Sequence, residues 1–244
     1  MVYGAVRVIV NADDLGLSDA VNAAVFDALD RGQVRSVSVL ANGSAFDGAV
    51  SGLRGREGVG VGVHLNLTEF SPLTDLRGLR PLDVRAEQIP AVIAEWGAQI
   101  QRVIDAGLVP DHLDSHQHIH YQPALFPALA EVSARFAISA VRGMAVDRMD
   151  VPQWHGLLQR LRAARFAGRL RRSGMETTDG FGSATLFRAL REAGRLRGES
   201  FEIMVHPGNP AHAVYAEEMV WVAEGVRHGH LTPDTWGHQR QGLV

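Results

Sequence analysis

The 244 residues contain no cysteine and no lysine. The first absence excludes a disulfide framework, a thiolate nucleophile and cysteine-ligated zinc, so any metal must rest on His, Asp or Glu. The second makes all 24 basic residues arginine, which excludes Schiff-base chemistry on lysine and a P-loop lysine. A charge surplus is missing too: the formal net charge is −3, which leaves no basic footprint for nucleic acid. No apolar run approaches the roughly 18 residues of a membrane span. Met1 to Ala5 leads straight into an apolar segment without a signal-peptide pattern, so a cytoplasmic protein is expected. Internal repeats, low-complexity tracts and linkers are also lacking. With 46% hydrophobic residues, the chain can bury a sizeable core as one α/β domain over 1–244.

What is present is an alternation of short apolar runs and amphipathic segments. Arg7 to Val10 reads as a strand covered on both faces, and it delivers two adjacent acids, Asp13 and Asp14, before Ser18 caps a helix from Asp19 to Arg31. Further strands are predicted at 36–41, 60–65, 139–142 and 200–205, with another strand end at 176–179. Helices are predicted at 45–53, 86–106, 123–137, 152–172, 184–197 and 212–227. The Arg-rich helix 152–172 reads as a solvated face, and the proline-containing stretch 66–85 as a loop over an active-site mouth. The remainder, including Gly229 to Gly242, reads as a polar tail.

About six or seven strands alternating with helices imply a parallel sheet with right-handed crossovers. Loops that follow parallel strands share one rim. In a (β/α) barrel Asp13, Asp14, His64, the 112–120 cluster, Arg142, Asp179 and His206 therefore converge. No glycine-rich nucleotide fingerprint follows the first strand. Within the cluster, His112, Asp114, His116, His118 and His120 alternate. An extended chain projects all five to one side, whereas a helix pairs His112 with His116 and His116 with His120. Either placement can chelate a divalent metal. His155, His212, His228, His230 and His238 have no companion at a strand end and are assigned to the surface.

Four motifs occur in order: Asn-Ala-Asp-Asp-Leu-Gly at 11–16, Gly-Val-His-Leu-Asn-Leu-Thr at 62–68, Asp-Ser-His-Gln-His-Ile-His at 114–120 and Met-Val-His-Pro-Gly at 204–208. Together they resemble the YdjC-like carbohydrate deacetylases, which include chitooligosaccharide deacetylases and a hopanoid-biosynthesis deacetylase. The resemblance runs from about residue 6 to 210. It implies a deformed (β/α) barrel, TIM-barrel-like, one divalent cation (Mg2+ or Zn2+), and deacetylation of a small N-acetylated carbohydrate or glycolipid head group. It also implies Asp14, His64 and His116 as metal ligands, Asp13 as catalytic base and His206 as the acid near the leaving nitrogen.

On that basis Asp114 and His118 are expected to orient ligands, while Arg142 and Asp179 contact substrate or other active-site groups. Consecutive residues of an extended strand point to opposite sides, so Asp14 is expected to face the metal and Asp13 the water. A homo-oligomer is compatible with the sequence. The rival readings are a metal-dependent phosphoester hydrolase and a non-catalytic sugar-binding barrel.

Overall fold

The computed structural model describes residues 6–144, 153–211 and 216–236, with the side chains of 153–157 and 216 left out. The His155 side chain, His212 and His238 thus lie outside the described residues, as does the start of the helix expected from 212. Strands and helices alternate as β1 (Arg7–Leu15), α1 (Asp19–Asp30), β2 (Ser36–Val39), α2 (Phe46–Leu53), β3 (Gly60–Leu65), α3 (Ile89–Asp105), β4 (His112–Ser115), α4 (Phe126–Phe136), β5 (Ala140–Val141), α5 (Gln153–Arg172), β6 (Gly180–Ser183), α6 (Ala184–Glu192), β7 (Ser200–Val205), α7 (Ala216–Arg227) and β8 (Pro233–Asp234).

Seven strands run parallel in the spatial order β5-β4-β3-β2-β1-β7-β6, forming a curled half-barrel. The two ends of this path approach where Ala140 forms a parallel bridge with Glu176. The expected deformed barrel of six or seven parallel strands is therefore observed. One strand is displaced from its expected place. The chain at 176–179 contributes only that bridge, and the strand proper follows at Gly180–Ser183.

The two faces of the sheet differ in chemistry. Val8, Val10 and Ala12 of β1 join the main apolar core with Val21 and Val25 of α1 and with Val92, Trp96, Ile100 and Val103 of α3. That burial of helix stripes against the sheet is the principal driving force for the fold. The opposite face is polar: Asn11, Ser36, Ser38, His112, Asp114, Arg142 and Glu202 are all buried. Register explains how they meet. Asn11 pairs with Ser36 across β1 and β2, and the serine hydroxyl donates to the Asn11 amide oxygen at 2.6 Å. Gly62 leaves room for this interior, because a Cβ there would lie 2.3 Å from the His112 ring.

Residues 231–236, within the segment expected to be a polar tail, form a plug. β8 adds to β1 at Val8 and Ile9, ahead of the point where β2 begins to pair at Asn11. Beyond it, Trp236 is buried with Ile9 and Ala140 and stacks on His112 with ring centroids 5.5 Å apart. These are strand-start residues, so 231–236 closes the end of the barrel opposite the rim. His228 and His230 are exposed, as expected. Trp236→Ala should lower unfolding free energy by about 3–5 kcal/mol, measured by urea denaturation, whereas Leu82→Ala on the exposed mouth loop should stay within about 0.5 kcal/mol.

Candidate active site

The site begins with a fault in β1. Ala12 pairs with Val37 but Leu15 with Val39, so β1 carries one extra residue between them. Asp14 falls in this bulge with φ 65°, a left-handed backbone that costs a non-glycine residue about 1–2 kcal/mol. Bulges re-aim side chains beside active sites, and here the bulge, in place of plain strand alternation, sets where Asp14 points. Asp13 and Asp14 are both buried, and each brings a carboxylate oxygen near His64.

Each acid then acquires its own partners. The Asp14 Oδ1 atom lies 2.9 Å from His116 Nδ1 and 3.4 Å from His64 Nε2. His64 owes its direction to register, because His64 of β3 is the Cα partner of Asp114 of β4. Asp114 Oδ1 meets His64 Nδ1 at 2.8 Å, and the Ser38 hydroxyl donates to Asp114 Oδ2 at 2.8 Å. The cluster 112–120 is neither one strand nor an α-helix. β4 ends at Ser115, and the chain then turns with Gln117 and His118 both at φ 54°. His116 is thereby sent to Asp14, while His118 stacks on Tyr121, His120 meets Ser115 and His112 lies beside Trp236.

One donor atom each from Asp14, His64 and His116 lies within 4.8 Å of the others, the fit required of three protein ligands with further coordination positions open. Asp13, His64 and Asp114 satisfy the same distance. In that second group, however, His64 Nδ1 is occupied by Asp114, and both carboxylates are paired with Arg142. Burial alone would lower the His64 pKa. The carboxylates of Asp114, Asp14 and Asp13 outweigh it and push it up to about 10 in the metal-free protein. Asp14 is held well below the usual range, its burial overcome by His116 and His64.

Beneath the pocket lies Arg142. Its Nη1 and Nη2 atoms each donate at 2.7 Å to Asp13, Nη1 also meets Asp114 at 2.8 Å, and Nε donates to Glu202 at 2.8 Å. Burial raises the Asp13 carboxyl, but the guanidinium overrides it and keeps it low. The same balance holds Asp114 low. For Glu202 burial prevails and its pKa is raised. His206, directly after β7, presents Nε2 3.7 Å from Asp13 Oδ2. The β1–β7 pairing of Ala12 with Val205 sets this proximity.

One expected placement needs correction, and two others take definite form. Asp179 precedes β6 instead of ending a strand, so it lies at the opposite end of the barrel. There its Oδ2 accepts from the backbone N–H groups of Glu199 at 2.8 Å and Ser200 at 3.2 Å. Arg142 points into the interior, so of its two expected roles it fills the one of holding active-site groups. His118 lines the pocket and packs against Tyr121 and Phe181; burial, then Arg142, pulls it down to about 3, leaving it neutral.

Three residues escaped the sequence reading. Glu202 is an acid inside an apolar strand, and it meets the buried Arg142. Asn209 donates to Asp14 Oδ2 at 2.7 Å. Glu69 sits on the mouth loop with Oε1 3.3 Å from His116 Nε2. That loop is anchored by Asn66, whose Oδ1 accepts from Thr68 and Glu69 N–H at 2.9 and 3.2 Å, and by Glu95 of α3, which accepts from Leu73 and Thr74 N–H at 3.0 and 2.7 Å.

The resulting pocket of about 460 Å³ is lined by Asp13, His64, Glu69, His116, His118 and His206 among others. The family model described as YdjC-like protein matches residues 7–232. The chain belongs to this YdjC-like family. The match continues past residue 208, where the last of the four motifs ends, into the plug that closes the barrel. Curated relatives include a chitooligosaccharide deacetylase of Enterobacter sp. (strain 638), 34% identical over 87% of this chain and 86% of the relative. Another, from Escherichia fergusonii, is 33% identical over 82% and 80%. A solved structure from Enterococcus faecalis V583, provisionally named a cellobiose-phosphate cleavage protein, shares the fold with a TM-score of 0.69 at 20% identity, covering 97% of this chain and 99% of that one.

Two outcomes test this YdjC-like site. Arg142→Met should cost about 3–5 kcal/mol in denaturation experiments, because it strands buried carboxylates without their cation. In chelator, the stability contributed by His64 is full below its unfolded pKa of about 6.5 and is lost as pH rises toward about 10. The gap between wild type and His64→Gln should therefore narrow over that window.

Proposed function

We propose that the chain is a metal-dependent carbohydrate N-deacetylase that hydrolyses the acetamide of an N-acetylated sugar to a free amine and acetate. The observation that carries this reading is the division between neighbouring acids: Asp14 faces two imidazoles, whereas Asp13 is clamped by Arg142 and lies 3.7 Å from His206. The similarity to two chitooligosaccharide deacetylases supports it.

Asp14, His64 and His116 would hold one divalent cation. Bound there, such an ion polarises a carbonyl and lowers the pKa of water. Two nitrogens and one carboxylate suit Zn2+ better than Mg2+, which prefers oxygen ligands. Asp13, kept ionised by Arg142, accepts the proton of the attacking water. The low pKa makes it a modest base but guarantees that it is charged at neutral pH. As the new C–O bond forms and the amide C–N bond breaks, a protonated His206 donates to the leaving nitrogen.

The pocket wall favours a neutral sugar over a phosphoester. Leu17, Met204 and Ala211 contribute apolar surface, and His118 is neutral. Arg142 is spent on three carboxylates below, and Glu69 adds negative charge at the mouth. A sugar-binding barrel without catalysis has no use for an arginine-clamped acid beside a histidine. The pocket is compatible with the proposed substrate class, an N-acetylated carbohydrate, free or as a glycolipid head group.

Metal-loaded protein should release acetate from N-acetylglucosamine oligomers or a related N-acetyl sugar. Asp13→Asn should reduce the rate by about 10²–10⁴-fold while one cation per chain is retained. Absence of acetate from every N-acetyl sugar tried, or full activity in Asp13→Asn, contradicts the reading.

A further inference from the structure

The turn after β7 does more than deliver His206. It reads His206-Pro207-Gly208-Asn209-Pro210, and its fourth residue is buried against the other acid of the pair. Asn209 Nδ2 donates to Asp14 Oδ2 at 2.7 Å, while Asn209 Oδ1 accepts from Ala211 N–H at 3.0 Å. The second contact fixes the first. A backbone N–H can only donate, so the amide oxygen must face Ala211 and the NH₂ must face Asp14. An ionised aspartate of the same shape only accepts and could not make the contact to Asp14.

The turn is held firmly. Gly208 has φ 70°, and a Cβ there would lie 2.7 Å from the Ala24 Cβ and 3.1 Å from the Ala20 carbonyl oxygen. The loop is therefore pressed onto α1, and Pro207 and Pro210 restrict φ on both sides of it. Asp14 is thus addressed from two directions. Its Oδ1 faces His116 and His64, and its Oδ2 is engaged by Asn209.

We propose that Asn209 is a positioning residue that restricts Asp14 to a single free oxygen and thereby sets how the divalent cation is held. The inference rests on the metal-binding reading of Asp14, His64 and His116. A carboxylate with one oxygen hydrogen-bonded presents the other as a one-oxygen ligand. Without the amide, Asp14 is free to rotate about its terminal bond and offer both oxygens. One turn then governs both acids, with His206 beside Asp13 and Asn209 on Asp14.

The test uses the full chain stripped with chelator and titrated with Zn2+ by calorimetry and with Co2+ by visible absorbance. Asn209→Ala removes the amide. Asn209→Ser keeps a hydroxyl that can accept from Ala211 N–H, as serine does in such turns, but cannot span to Asp14. Both variants should bind Zn2+ about 10–100-fold more weakly, the usual effect of removing a partner that orients a ligand. Their Co2+ bands should lose intensity as a second Asp14 oxygen joins the ion. If Asn209 merely shapes the loop, Asn209→Ser matches wild type in affinity and spectrum, which overturns the inference. It also carries the test if Asn209→Ala fails to fold. Wild-type protein that binds neither ion overturns the metal reading itself, and the inference with it.

Discussion

A single guanidinium, buried in the barrel interior, makes the rest of the site physically allowable. Asp13, Asp114 and Glu202 come from three different strands or strand ends, and all three meet Arg142 at 2.7 to 2.8 Å. Carboxylates so fully removed from water would be prohibitive alone. The arrangement is a poor source of net stability, because desolvation consumes most of the attraction between buried charges. What it provides is direction: the planar fork accepts carboxylates only at fixed angles.

The consequences spread upward from that fork. Asp13 is immobilised and kept ionised, which suits a proton acceptor and deprives it of freedom to wander toward a cation. Asp114 shares its charge between Arg142 and His64, so the orientation of one imidazole depends on the same cation. Asp14 escapes the network because the bulge in β1 turns it away, toward His116 and Asn209. Two sequence neighbours therefore sit in different electrostatic worlds. In the metal-free protein Asp14 and Asp114 draw a proton onto His64, which a bound cation must displace.

Much of this was legible in the chain. The alternation of strands and helices gave a parallel barrel, and the ends of strands brought Asp13, Asp14, His64, the 112–120 cluster and His206 to one rim, while only the family resemblance singled out His116. Asp179 misled because a one-strand-end reading places an acid on the rim only if the strand stops there; the strand starts instead, four glycine-rich residues that carry little periodic signal. The plug at 231–236 was hidden for a related reason, since two bridging residues and one tryptophan make no pattern. Arg142 could be placed on its strand but not aimed, as the inward turn of a charged side chain depends on acids 129, 60 and 28 residues away in sequence. The bulge at Asp14 likewise needs the register with β2, which lies outside any local window.

The central claim is that Asp14 holds a cation with two histidines while its neighbour Asp13 remains off it, reserved for the proton. The most direct measurement is a crystal structure of the Zn2+-loaded chain with anomalous scattering recorded across the zinc edge. One peak is expected, bonded at about 2.0–2.2 Å to Asp14, His64 and His116, with Asp13 still paired to Arg142. A cation bonded to Asp13, or one seated away from His64 and His116, would contradict the account.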